Sequence, residues 1–333
     1  MAKYPKVNYI GNKEKLSDWI LSEMPVKEGT VLDLFAGGCS VSYALKAGGY
    51  RVISNDILYA DYVIARALVE NQNQRLEEDI FARQVSDARV AELAERFAFL
   101  GERLYYPKEV RELAHLAAIS ETLDGDRRYL FLALLRRAMI RKLPYSRMNV
   151  PWNQIQRLRD EDYSYAKYGR KRAYHNQTFE SHMRENIDAY NQAVFPGAPC
   201  RACRLDALDL IRQMEAVDVV YMDPPYPSTM NNYDSFYGLY DEMFDKKKKH
   251  MDFTQRSLFL DNMAQILEAL RGKTAYVLLS QNTRSRPGPE EILELLGRYG
   301  SVTMRQKQHN YQVTGKENKN ASKELLFLLR MEA

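Results

Sequence analysis

Residues Thr30 to Asp56 read TVLDLFAGGCSVSYALKAGGYRVISND. Thr30–Phe35 is a short apolar run of strand character, and Ala36-Gly37-Gly38 makes a loop. Ser40–Lys46 has the pattern of a helix. Arg51–Asn55 is a second apolar strand, which ends at Asp56. Strand, glycine loop, helix, strand and terminal acid, in that order, are the parts of a nucleotide-binding βαβ unit. Each part has a chemical use. The glycines let backbone approach a ligand closely. Asp33 can accept from an ammonium group, and an acid at the position of Asp56 can accept from both hydroxyls of a ribose. The loop is not G-x-G-x-x-G, and no further glycine follows at the right place, which argues against a nicotinamide dehydrogenase.

Outward from this unit, Lys13–Met24 alternates polar and apolar residues as a helix does. Residues 71–195 change character: they are rich in Glu, Arg, Gln and Tyr, with few strand-like runs. Arg83–Leu100, Pro107–Thr122 and Tyr129–Lys142 have amphipathic helical spacing. An inserted, mostly helical domain over 71–195 is therefore expected, set within an α/β domain made of 1–70 and 196–333. The α/β pattern resumes with the strands Asp218–Met222, Ala275–Ser280 and Leu325–Arg330 and the helices Phe253–Leu270 and Glu290–Tyr299. No internal repeat is visible, and Lys246–Lys249 is the one low-complexity patch, read as a solvated loop or a phosphate contact.

Composition narrows the class. The chain has 333 residues, 45% of them hydrophobic and 28% charged, which suits a globular protein with a well-buried core. No apolar run reaches the roughly 18–20 residues that span a bilayer, and Met1-Ala2-Lys3-Tyr4-Pro5 has no apolar secretion core. Three cysteines, Cys39, Cys200 and Cys203, do not make a disulfide framework, so a cytoplasmic setting is expected. Cys200 and Cys203 have metal spacing, but only His175 and His182 stand near them, and no metal site is expected. The net charge of +4 is unevenly spread. Arg127–Arg172 holds thirteen Lys/Arg against three Asp/Glu, the footprint of a polyanion-binding surface.

The most informative tetrapeptide is Asp223-Pro224-Pro225-Tyr226, just after an apolar strand. Ligands of open α/β sheets bind at the carboxyl ends of strands. The prolines stiffen the turn, the carboxylate and proline carbonyls supply acceptors, and an aromatic ring closes it. Such a turn suits a planar group that carries an exocyclic amine.

With these residues in hand, the sequence resembles the Dam-type (alpha-group) DNA adenine-N6 methyltransferases over most of its length. Tyr9-Ile10-Gly11-Asn12-Lys13 is similar to the family's N-terminal S-adenosylmethionine (SAM) motif, Asp33 to Gly38 to its SAM loop, and Asp56 to its ribose acid. Asp206 stands where the family contacts the cofactor adenine. Asp223, Pro224, Pro225 and Tyr226 match its catalytic motif. Ser280 to Thr283 and Lys323-Glu324-Leu325-Leu326 fit its later strands. Phe131 to Arg136 and Asn149-Val150-Pro151-Trp152 resemble, more loosely, its DNA-binding segment.

The resemblance implies a Rossmann-like SAM-dependent methyltransferase sheet with an inserted helical target-recognition domain. It also implies SAM as cofactor, held by Tyr9, Gly11, Asn12, Lys13, Asp33, Phe35, Gly37, Gly38, Asp56 and Asp206. The substrate would be double-stranded DNA, with a flipped adenine methylated by direct displacement. A bacterial, archaeal or phage source and a cognate restriction endonuclease go with it. The DNA contacts expected in the basic block are Arg141, Lys142, Arg147, Asn149, Arg170, Lys171 and Arg172. Two other readings remain open at this point: an RNA or protein methyltransferase with the same turn, and a non-catalytic DNA-binding specificity subunit.

Overall fold

The computed structural model describes residues 2–227, 232–308 and 323–332, which fall into two compact units. One, an α/β unit, comprises Lys13–Ile57, Gly197–Tyr233 and Lys248–Ala333. Its strands are β1 (Thr30–Asp33), β2 (Arg51–Asn55), β3 (Arg201–Cys203), β4 (Val219–Met222), β5 (Tyr276–Asn282), β6 (Gly300–Gln308) and β7 (Lys323–Met331). They form one sheet in the order β3-β2-β1-β4-β5-β7-β6. β1 to β5 run parallel, and β7 runs antiparallel between β5 and β6. The fold is that of a Rossmann-like methyltransferase.

Central parallel strands are covered on both faces, so they read as unbroken apolar runs. All four residues of β4 are buried. Leu32, Val220, Met222, Val277, Leu279 and Phe327 from four central strands share a core with Phe259, Met263, Ile266 and Leu267 of the helix Arg256–Ala269. The strand order reverses between β1 and β4, since β1 leads to β2 on one side and β4 to β5 on the other. That reversal opens a crevice at the carboxyl ends of β1 and β4, where Asp33 and Asp223 stand.

β6 is a strand that the residue pattern does not announce. Its sequence, GSVTMRQKQ, is almost entirely exposed or half-exposed. It is held by a continuous ladder with β7 from Gly300↔Met331 to Gln308↔Lys323. The apolar β7 recruits it through the backbone, and its Lys, Arg and Gln side chains suit an edge that must not pair further.

The second unit is helical and comprises Met1–Asn12, Leu58–Pro196 and Asp234–Lys247. It thus takes in more than the 71–195 segment read from sequence. The reason is local: Asp241, 2% exposed, accepts from the backbone N–H groups of Tyr59 (2.7 Å) and Ala60 (3.0 Å). This joins the helix Tyr59–Ile64 to the helix Tyr233–Met243. Gly125–Arg141 is the central helix, buried from Leu130 to Ile140. The expected helix over Arg83–Leu100 starts at Asp87, because the Ser86 hydroxyl accepts from Arg89 N and sets the first turn.

Candidate active site

β4 runs directly into the turn Asp223–Tyr226. Asp223 Oδ2 lies 2.9 Å from Lys13 Nζ, and the same ammonium lies 3.2 Å from Glu324 Oε1 on β7. Glu324 is fully buried and also accepts from the Ser280 hydroxyl of β5 at 2.7 Å. The Ser280 carbonyl in turn accepts from Tyr226 Oη at 2.6 Å. One serine therefore ties the ring of the turn on one side and the acid behind Lys13 on the other. Burial pushes the Asp223 carboxyl up to about 6; Lys13 opposes the rise and the charge of Glu324 adds to it. The Tyr226 ring is 6% exposed and tilts against Phe259 at 5.2 Å, so its hydroxyl is held well above the ordinary phenol range by burial.

At the end of β1, Asp33 is 1% exposed. One of its oxygens accepts from Ser42 Oγ at 2.6 Å, and Ser42 Oγ lies 2.9 Å from Ser54 Oγ on β2. The other, Oδ1, has no partner among the described residues. Burial lifts the Asp33 carboxyl to about 7, against the Ser42 hydrogen bond, and the charges of Asp223 and Asp56 add to the rise. Asp56 Oδ2 accepts from Gly37 N at 2.8 Å. Gly37 has φ +49°, so a side chain there would be strained. Gly38 is buried beside it, and Phe35 packs edge-on against Phe253 at 5.1 Å.

Asp206 has structural duties. Its Oδ1 caps the helix Ala207–Gln213 by accepting from Leu208 N at 2.9 Å, and its Oδ2 accepts from Met251 N at 2.7 Å. Sequence reasoning missed Asn55. Its amide donates to Leu34 O (3.2 Å) and Leu205 O (3.1 Å) and accepts from Leu205 N (3.1 Å), which clamps the ends of three strands. The signal was a polar residue closing an apolar strand. Glu324 had a similar one, a lone acid entering KELLFLL.

Tyr9, Gly11 and Asn12 belong to the helical unit, whereas Lys13 opens the α/β unit. Tyr9 stacks on Tyr237 at 5.0 Å, Tyr237 Oη accepts from Ile10 N at 2.9 Å, and Gly11 has φ +81°.

The basic block divides into buried and presented cations. Lys142 is 1% exposed and pairs with Glu109 at 2.7 Å, alongside Arg159, which also pairs with Glu109, at 2.6 Å. Lys142 is therefore withdrawn from the expected DNA contacts: its charge neutralises a buried acid. Arg136 donates to Val7 O (3.2 Å) and Arg137 to Lys6 O (2.7 Å), both from the interior. Arg170 and Lys171 are exposed, and Asn149 is exposed with its amide on Ser235 Oγ at 3.0 Å. Arg141 lies over Tyr174 at 4.0 Å, Arg172 over Tyr168 at 4.4 Å and Arg147 over Phe236 at 5.5 Å, all half-buried. Cys39, Cys200 and Cys203 form no disulfide among the described residues. No group of three or more His, Cys, Asp or Glu among the described residues is placed to hold a metal ion. No described helix is long and apolar enough to cross a membrane.

A reversing parallel sheet with acids at the crevice, and an Asp-Pro-Pro-Tyr turn at the end of β4, is the arrangement of a Rossmann-like methyltransferase. The chain matches the D12 class N6 adenine-specific DNA methyltransferase family over residues 9–276 and belongs to it. It is 44% identical to the type II methyltransferase M2.HphI of Haemophilus parahaemolyticus, with 98% of each chain covered. It is 25% identical to the type II methyltransferase M.NlaIII of Neisseria lactamica, over 94% of this chain and 95% of that one. A 67-residue stretch, 19% of this chain and 21% of the other, is 37% identical to the type II methyltransferase M.CviAII of Paramecium bursaria Chlorella virus 1. The chain is a DNA adenine-N6 methyltransferase.

Proposed function

We propose that the methyl donor is S-adenosylmethionine and that the α/β unit binds it at the ends of β1 and β2. The supporting observation is Asp33 Oδ1, a buried acceptor with no partner among the described residues. A cationic donor group fits such an atom, and Asp56 adds a second acid close to the glycine loop. When bound, SAM offers a methyl group activated by its sulfonium charge.

Everything else falls to the chain. The N6 lone pair of adenine is delocalised into the ring, so the amine is a poor nucleophile. Asp223, ionised, and the Pro224 carbonyl accept its two hydrogens and so localise the lone pair on nitrogen. Lys13 keeps Asp223 ionised and fixed in direction. Transfer then depends on positioning and electrostatics, with no covalent enzyme intermediate. The adenine leaves the duplex to reach the turn, and the Tyr226 ring stacks on it. The helical unit serves as the target-recognition domain, with Arg141, Arg147, Asn149, Arg170, Lys171 and Arg172 facing double-stranded DNA. Phe35, Gly37, Gly38 and Asp206 complete the set that the α/β unit offers the cofactor. The type II names of two relatives aligned along nearly their whole length support a cognate restriction endonuclease as companion.

The test is Asp223→Ala with calorimetric SAM binding and analysis of methylated nucleosides. Loss of N6-methyladenine with SAM affinity within about twofold is expected. Undiminished product would remove Asp223 from the chemistry. Asp56→Ala should weaken SAM binding by about 1.5–3 kcal/mol for each ribose hydroxyl that no longer finds its acceptor; unchanged affinity would remove Asp56 from the cofactor site.

A further inference from the structure

β4 carries a hydroxyl among apolar side chains. Tyr221 is 1% exposed, lies between the buried Val220 and Met222, and its Oη has no hydrogen-bond partner among the described residues. A buried hydroxyl left without a partner costs free energy, and a phenylalanine would fill the same position without that cost. Tyr221 is in register with Asp33 of β1. Register partners on adjacent strands lie about 4.8 Å apart at the backbone and send their side chains to the same face of a sheet. Asp33 Oδ1, on that neighbour, is likewise without a partner among the described residues. Ser280 stands two residues beyond Leu278, the β5 partner of Tyr221, and shares the face. Its hydroxyl donates to Glu324 and makes no hydrogen bond with Tyr221. Burial, with the charge of Asp223 behind it, holds the Tyr221 phenol well above its ordinary range, against the pull of Lys13 and the nearby Ser280. At neutral pH it is therefore a donor.

A buried acceptor and a buried donor on neighbouring strands are the complement of an α-amino acid, whose ammonium and carboxylate are separated by one carbon. SAM ends in such a group. On the reading that SAM is the methyl donor and is held by this unit, Asp33 Oδ1 takes the ammonium, and the carboxylate still needs a donor. We propose that Tyr221 Oη donates to the carboxylate of SAM, so that β1 and β4 together anchor the amino-acid end of the cofactor, two residues before Asp223. Lys13 is within electrostatic reach of the same hydroxyl and offsets the negative charge that the carboxylate brings into a buried place.

Tyr221→Phe removes the hydroxyl and keeps the ring. SAM, and decarboxylated SAM, which retains the ammonium and lacks the carboxylate, are titrated by calorimetry into the wild type and the variant. The variant should bind SAM about tenfold more weakly, since a hydrogen bond to a charged group is lost. Decarboxylated SAM should bind the two proteins within about twofold of each other, because the group that Tyr221 serves is missing from it. Without cofactor, the variant should melt no lower than the wild type, since its lost hydroxyl had no partner to give up. Equal SAM affinity in both proteins, or an equal loss for both ligands, would overturn the assignment and leave SAM in place as donor. A lower cofactor-free melting temperature would show that the hydroxyl serves the fold itself, and would overturn the assignment as well. Wild-type protein that binds no SAM would overturn the reading of SAM as donor, and the assignment with it.

Discussion

Asp33 and Asp223 close adjacent strands, and burial makes both hold protons more tightly than a free aspartate. For Asp33 the consequence is a stability slope. Between about pH 4 and 7 the native state keeps a proton that the unfolded chain has released, so stability contributed by the neutral carboxyl is lost as pH rises through that window. Asp33→Asn removes the slope. In cofactor-free protein it should melt at a higher temperature than wild type at pH 8, by the equivalent of a few kcal/mol, and close to wild type at pH 4. Equal melting at pH 8 would mean that the carboxylate is not penalised. For Asp223 the consequence is kinetic. The ionised form accepts the amine hydrogens, so kcat/KM should fall as pH drops through about 6. Lys13→Met removes the opposing cation and should move this acid limb up in pH. Glu324→Gln removes a like charge and should move it down. A pH–rate profile that stays put in both variants would separate the triad from catalysis.

At the scale of elements, strand-end acids were legible because chemistry and local pattern coincide. Asp33, Asp56 and Asp223 each follow an apolar run, and β2 and the helix Ser40–Ala47 lie where the residues put them. Glu324 was visible only as part of a strand, because its partners Lys13 and Ser280 come from distant segments and no local spacing announces them. β6 was invisible because its stability comes from a neighbour's backbone and not from its own side chains. Glu109 shows the same limit inside the helical unit. Burial would raise its carboxyl, but Arg159 and Lys142 together hold it at about 2. A depressed acid contributes stability above its unfolded value near 4.5 and loses it as pH falls towards 2. Glu109→Ala strands two buried cations and should cost about 3–5 kcal/mol in urea denaturation at pH 7. A loss under 1 kcal/mol would show the cluster to be dispensable.

At the scale of the whole molecule, counting charges along the chain overstated the DNA-facing surface. Of the thirteen cations in Arg127–Arg172, Arg136, Arg137, Lys142 and Arg159 are buried, and a buried arginine spells the same as an exposed one. Counterion release therefore depends on fewer residues than the composition suggests. Replacing Arg170, Lys171 and Arg172 with alanine should flatten the slope of log affinity against log salt by about 2–3. An identical slope would take them off the phosphate backbone. The position of β7 has a consequence for biosynthesis. It is translated after both of its neighbours, β5 and β6, so on the ribosome the apolar margin of β5 waits uncapped and the ammonium of Lys13 waits for its second acid. A nascent chain paused before Lys323 would therefore present an open apolar strand edge, the kind of surface on which chains aggregate.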